Sequence, residues 1–207
     1  MTADPGIAKG RVETLIDGIY AIAMTLLVLT IDVPKMPEGV SPDAALPALV
    51  LGLDDQVLAC LIAFLVLTGF WMAHEEIFQR VARIDRTFLN LNLLVLLCTI
   101  FVPFTTWLVA DFPTARLAIG LFALNLTIIG LLFTGQWLYI SRHPAQVYVR
   151  VSGSVLRRGL LRSLSTTAAA LVSVLIAGPM PDFALWAYLL IPFILVVADR
   201  FPDRYRR

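Results

Sequence analysis

The 207 residues are 59% hydrophobic and only 15% charged, with a mean hydropathy of +0.84, a balance that a water-soluble domain does not carry. The net charge of +1 offers no basic surface for nucleic acid, and two cysteines are too few for a disulfide framework. The apolar runs are long enough to cross ~30 Å of hydrocarbon, where only helices keep every backbone amide paired, so the chain reads as an all-α polytopic membrane protein.

The first expected helix covers about 12–33, VETLIDGIYAIAMTLLVLTIDV. Gly18, Ile22, Thr25, Leu29 and Asp32 fall four, three, four and three residues apart and share one narrow face. Threonine and aspartate have no reason to lie on a lipid-facing seam. The spacing suits either packing against another helix or the wall of a pore, where Ile22, Leu26 and Leu29 would form a dry constriction with Thr25 between them. Asp17 interrupts the apolar run and no A-x-A site follows it, so the segment is expected to stay a helix rather than act as a cleavable signal.

The connection 34–55 is expected to carry a short interfacial or re-entrant helix over Ala44–Leu53, and its carboxylates would make that face mildly acidic. Further spans follow at about 56–77, 87–109, 115–140, 160–178 and 183–199, separated by clusters of Pro, Gly, Arg and Asp. That gives six transmembrane helices in a single domain, 1–207. Six spans with both termini cytoplasmic place fourteen of the sixteen Lys and Arg residues inside and leave only Lys35 and Arg116 outside, as the positive-inside rule requires. Arginines such as Arg157 and Arg158 are then topological in the first instance, with contact to anionic lipid as a second reading. Cys60 and Cys98 fall within spans and read as small core residues, and Trp71, Trp107 and Trp137 fall near the interfaces.

Polar groups inside a membrane are costly and therefore informative. At 1.5 Å per residue, Asp17, His74, Asn90 and Asn92 all fall roughly 5–8 Å above the cytoplasmic border, with Gln136 in the same layer. Such a layer can clamp helices by hydrogen bonds, relay protons or hold a ligand. No enzyme is expected. HEEIF (74–78) lacks the second histidine of a zinc-protease helix, and there is no phosphate-binding Gly-rich loop, Cys-x-x-Cys or G-x-S-x-G.

The run Arg11-Val12-Glu13-Thr14-Leu15-Ile16-Asp17-Gly18, followed by IYAIAMTLLVLTI, resembles the first-helix signature R-x-x-x-F-S-D of the transmembrane protein 175 family, with Leu15 and Ile16 in place of Phe and Ser. GFWMAHEEIF (69–78) and LNLNLLVLLCTIFVPFTTWL (89–108) resemble the family's second and third helices through Trp71, His74, Asn92, Pro103 and Phe104. The resemblance covers about residues 11–140.

It implies a bacterial inner-membrane protein of six helices per chain, assembled with itself into a homotetramer around a central pore permeable to potassium ions, without other cofactor. It further implies that Ile22 is the apolar constriction, extended by Leu26 and Leu29, and that Thr25 sets cation preference. Arg11, Asp17, Trp71, His74 and Asn92 would form the network holding the pore helix. Two readings from other classes stand beside the channel: a proton-coupled transporter using Asp17 and His74, and a membrane-embedded assembly protein presenting its arginines.

Overall fold

The computed structural model describes residues 8–32 and 34–191, and among these it is all-helical apart from one isolated β-bridge between Val81 and Val147. Helix α1 runs Lys9–Leu26, α2 Pro42–Leu51, α3 Asp54–Phe78, α4 Arg86–Ile100, α5 Val102–Asp111, α6 Arg116–Arg142 and α7 Gly153–Ala177. Five segments are long and apolar enough to cross a membrane: Lys9–Thr30, Asp54–Phe78, Arg86–Asp111, Arg116–Arg142 and Gly153–Ala177. The chain is a multi-pass membrane protein. Of the expected sixth span, 183–199, residues 192–199 lie outside the described residues, as do the arginines from 200 onward. Its described start, Pro181–Leu189, is a 3₁₀ segment rather than an α-helix.

The ends and breaks have local causes. α1 stops at Leu26 and passes through a 3₁₀ turn, Leu27–Thr30, into extended backbone at Ile31. The β-branched residues Val28, Thr30 and Ile31 and the proline at 34 disfavour further helix. The seam therefore keeps α-helical spacing only as far as Leu26; Leu29 rides on the 3₁₀ turn and Asp32 lies beyond it. Pro103 lacks an amide proton and its ring crowds the carbonyl of Thr99, so the third span breaks at Phe101 into α4 and α5. The fifth span begins earlier than 160, at Gly153, because the Ser152 hydroxyl caps the helix by accepting the Val155 amide at 3.4 Å.

Helix α6 packs most extensively on α7, and α7 in turn on the 181–189 segment; α3 packs on α5, and α4 and α5 on α6. Small residues make the α6–α7 crossing close. A Cβ on Gly130 would stand 2.6 Å from the Thr167 hydroxyl, and one on Gly159 would fall on the indole of Trp137. Trp137 is therefore fully buried beneath α7 instead of sitting in an interfacial belt, whereas Trp71 and Trp107 are more than one-third exposed. Close approach of small residues replaces the missing hydrophobic drive between helices in lipid. Cys60 and Cys98 are free and part-buried.

Candidate pore helix and its polar clamp

Helix α1 divides cleanly by exposure. Val12, Ile16, Tyr20 and Ala23, followed by Leu27, are buried at four- and three-residue steps and face the rest of the chain. The opposite face carries Gly18, Ile22, Thr25, Leu26 and Leu29, all exposed, with Ile22 at 61% and Leu29 at 70%. Among the described residues the stripe therefore covers no neighbouring helix. The Thr25 hydroxyl donates to the Ile22 carbonyl at 2.8 Å, so its proton is committed and the oxygen faces outward as an acceptor.

The buried face is fastened by polar groups from α3 and α4. The Trp71 indole N–H donates to Asp17 Oδ1 at 2.9 Å. His74 is 1% exposed, with Nε2 2.7 Å from Asn92 Oδ1 and Nδ1 3.1 Å from the Tyr20 hydroxyl. An amide oxygen can only accept, so Nε2 carries the proton and Nδ1 accepts from Tyr20. Thr99 Oγ1 lies 3.5 Å from the same hydroxyl and donates to the Val95 carbonyl at 2.9 Å. The imidazole meets Phe133 and Tyr20 edge-on, at 4.6 and 5.4 Å between ring centroids.

Three helices thus meet on one histidine, and Asp17, Trp71, His74 and Asn92 come together as a clamp. Arg11 is exposed and, among the described residues, joins none of these bonds. Gln136 is fully buried but, among the described residues, neither of its amide atoms has a partner.

Sequence reasoning missed Tyr20, although its place on the face opposite the stripe was the available signal. It also missed two clusters at the arginine-rich end. Glu76 on α3 pairs with Arg162 of α7 at 2.9 Å and with Arg80 at 3.4 Å, and Arg80 lies 5.5 Å over the Trp137 ring. Asp85 caps α4 by accepting the Phe88 amide at 2.8 Å. Its other oxygen accepts from the Tyr139 hydroxyl and the Gln146 side-chain amide, each at 2.5 Å. Partial burial opposes ionisation of Asp85, but those bonds, the Phe88 amide and the neighbouring His143 outweigh it and hold the carboxyl below its ordinary value. Aspartate directly before a helix was a readable N-cap signal.

Among the described residues no group of three or more His, Cys, Asp or Glu side chains could hold a metal ion. What the arrangement offers is one helix anchored along one face and bare along the other. Residues 11–103, which hold most of α1, all of α2, α3 and α4 and the start of α5, match the family model described as "Endosomal/lysosomal potassium channel TMEM175". A potassium channel of Chamaesiphon minutus is 38% identical over 131 residues, 62% of this chain and 64% of that protein. A potassium channel of Streptomyces collinus is 35% identical over 142 residues, 65% of each. The matched region spans a little under two thirds of these relatives' length. The crystal structure of a lysosomal potassium-selective channel TMEM175 homologue from Chamaesiphon minutus superposes with a TM-score of 0.75 and 28% identity, over 92% of this chain and 98% of that one. Family sequence on the first three long spans and a relative's fold along nearly the whole length agree: the chain is similar to the TMEM175 family.

Proposed function

We propose that this protein is a cation channel favouring potassium, a homotetramer of the bacterial inner membrane in which α1 from each copy lines a central pore. The family is one of ion channels, not of enzymes, and the two bacterial relatives compared above are named potassium channels. The observation that carries the reading is the division of α1. Its buried face is fixed by polar bonds to α3 and α4, while Ile22, Thr25, Leu26 and Leu29 on the other side are exposed among the described residues.

A single chain with one such helix cannot enclose a pore, whereas copies around an axis can. Apolar rings at Ile22, Leu26 and Leu29 would then exclude ions by dewetting, and the Thr25 oxygens would replace part of a cation's hydration. In this reading Asp17, Trp71, His74 and Asn92 hold the pore helix, with Arg11 flanking them. The carrier alternative gains less from the geometry. Both His74 ring nitrogens are engaged in a buried site, an arrangement that suits a clamp better than a group that loads and unloads protons.

The test is potassium flux from proteoliposomes containing Ile22→Asn, accompanied by the stoichiometry of the purified protein. Wetting the constriction should raise conduction. Unchanged flux in a variant that assembles as wild type, or a monomer in detergent and lipid, would overturn the proposal.

A further inference from the structure

An elongated apolar cavity of about 170 Å³ lies between α3, α6, α7 and the segment after α7. Along α3 its lining runs from Ile62 to Ala73, roughly 17 Å at the helical rise. Phe133 of α6 forms part of its wall, and Arg162 stands at the end nearest Ala73.

We propose that this groove binds an anionic phospholipid of the cytoplasmic leaflet, with one acyl chain along α3 and the phosphate on Arg162. The charge at its mouth favours that occupant. Arg162 and Arg80 share the single carboxylate of Glu76, at 2.9 and 3.4 Å, so the trio carries a surplus positive charge. Basic pockets between membrane helices on the cytoplasmic side suit anionic head groups, and a guanidinium matches a phosphate bidentately. An acyl chain is as well accommodated among other lipid tails as in the groove, so the preference must come from the head group. The site therefore discriminates by head-group charge rather than by chain. It does not depend on where the pore lies.

Native mass spectrometry of the purified full-length protein, titrated with dioleoylphosphatidylglycerol or dioleoylphosphatidylcholine, tests this. Phosphatidylglycerol should saturate at one per subunit and bind at least tenfold more tightly than phosphatidylcholine, a difference of about 1.4 kcal/mol. Arg162→Gln should abolish that preference, and Arg162→Lys should retain part of it. Gly69→Leu is the independent probe: Gly69 lines the groove and an added Cβ there meets nothing within 4 Å, so the larger side chain is expected to occupy groove space. It should weaken phosphatidylglycerol binding about tenfold at unchanged melting temperature. Equal retention of the two lipids, undiminished binding by Gly69→Leu, or no specific lipid at all because residues after 191 fill the groove would each overturn the proposal.

Discussion

The Trp71 indole reaches across from α3 to give its proton to Asp17 of α1 over 2.9 Å, and so sets the rotation of the helix that carries Ile22 and Thr25. One turn along each helix, His74 and Tyr20 repeat the connection. Rotation of α1 by a third of a turn would move the exposed stripe onto the buried side, so these bonds decide which residues are presented.

A double-mutant cycle on Asp17→Ala and Trp71→Phe, followed by thermal unfolding of the purified protein, should give a coupling energy of about 1 kcal/mol. That is the scale of an interhelical bond in a membrane protein at a partly exposed carboxylate. Additive single effects would show the contact to be incidental, and α1 would then owe its rotation to apolar packing and the Tyr20–His74 bond.

Thr25 should govern discrimination between cations more than total conduction. Thr25→Ala removes the hydroxyl oxygen and is expected to lower the preference for potassium over sodium, while Thr25→Ser keeps it and should behave as wild type. Reversal potentials under bi-ionic conditions measure this directly. An unchanged reversal potential in Thr25→Ala takes the residue out of the selectivity account.

The sequence carried much of this site because membrane burial makes polar residues conspicuous. Asp17, His74 and Asn92 could be placed in one layer from helix length alone, and the stripe through Ile22 and Thr25 follows from periodicity. Periodicity cannot, however, distinguish a face that packs within a chain from one that waits for another copy; only the exposure of Ile22 and Leu29 separates the two. Helical arithmetic also failed beyond Leu26, where a 3₁₀ turn changes the residues per turn and carries Asp32 off the face. The burial of Trp137 was illegible for a different reason. It depends on Gly159, 22 positions away, leaving room for an indole, and no local pattern announces that pairing.

That pairing has a measurable consequence. Gly159→Ala should lower stability by about 1–3 kcal/mol, since the methyl group falls on a fully buried ring in a close helix crossing. Gly120→Ala on the same α6–α7 pair is the control: its added Cβ meets nothing within 4 Å, and it should leave stability unchanged or slightly raised. Combining Gly159→Ala with Trp137→Leu, which clears the space, should cost less than the sum of the two single changes. Strict additivity would mean that the ring is not what limits the approach of α7.

Asp85 predicts the acid limb of stability. Its carboxyl titrates below the ordinary value of 3.8 because the folded state supplies hydrogen-bond donors to the anion that the unfolded chain lacks. A group whose pKa is depressed by folding contributes fully above its unfolded value and loses that contribution as pH falls through the folded one. Wild type should therefore exceed Asp85→Ala by about 1 kcal/mol near neutral pH, the usual worth of a helix N-cap. The gap should hold down to the ordinary carboxylate range and narrow only below it, as protonation leaves Tyr139, Gln146 and the Phe88 amide a weaker acceptor. Unfolding followed by tryptophan fluorescence across that range checks the sign. A gap that closed at higher pH instead would place the titration on another group and remove Asp85 as the tie between the 79–85 and 143–148 connections.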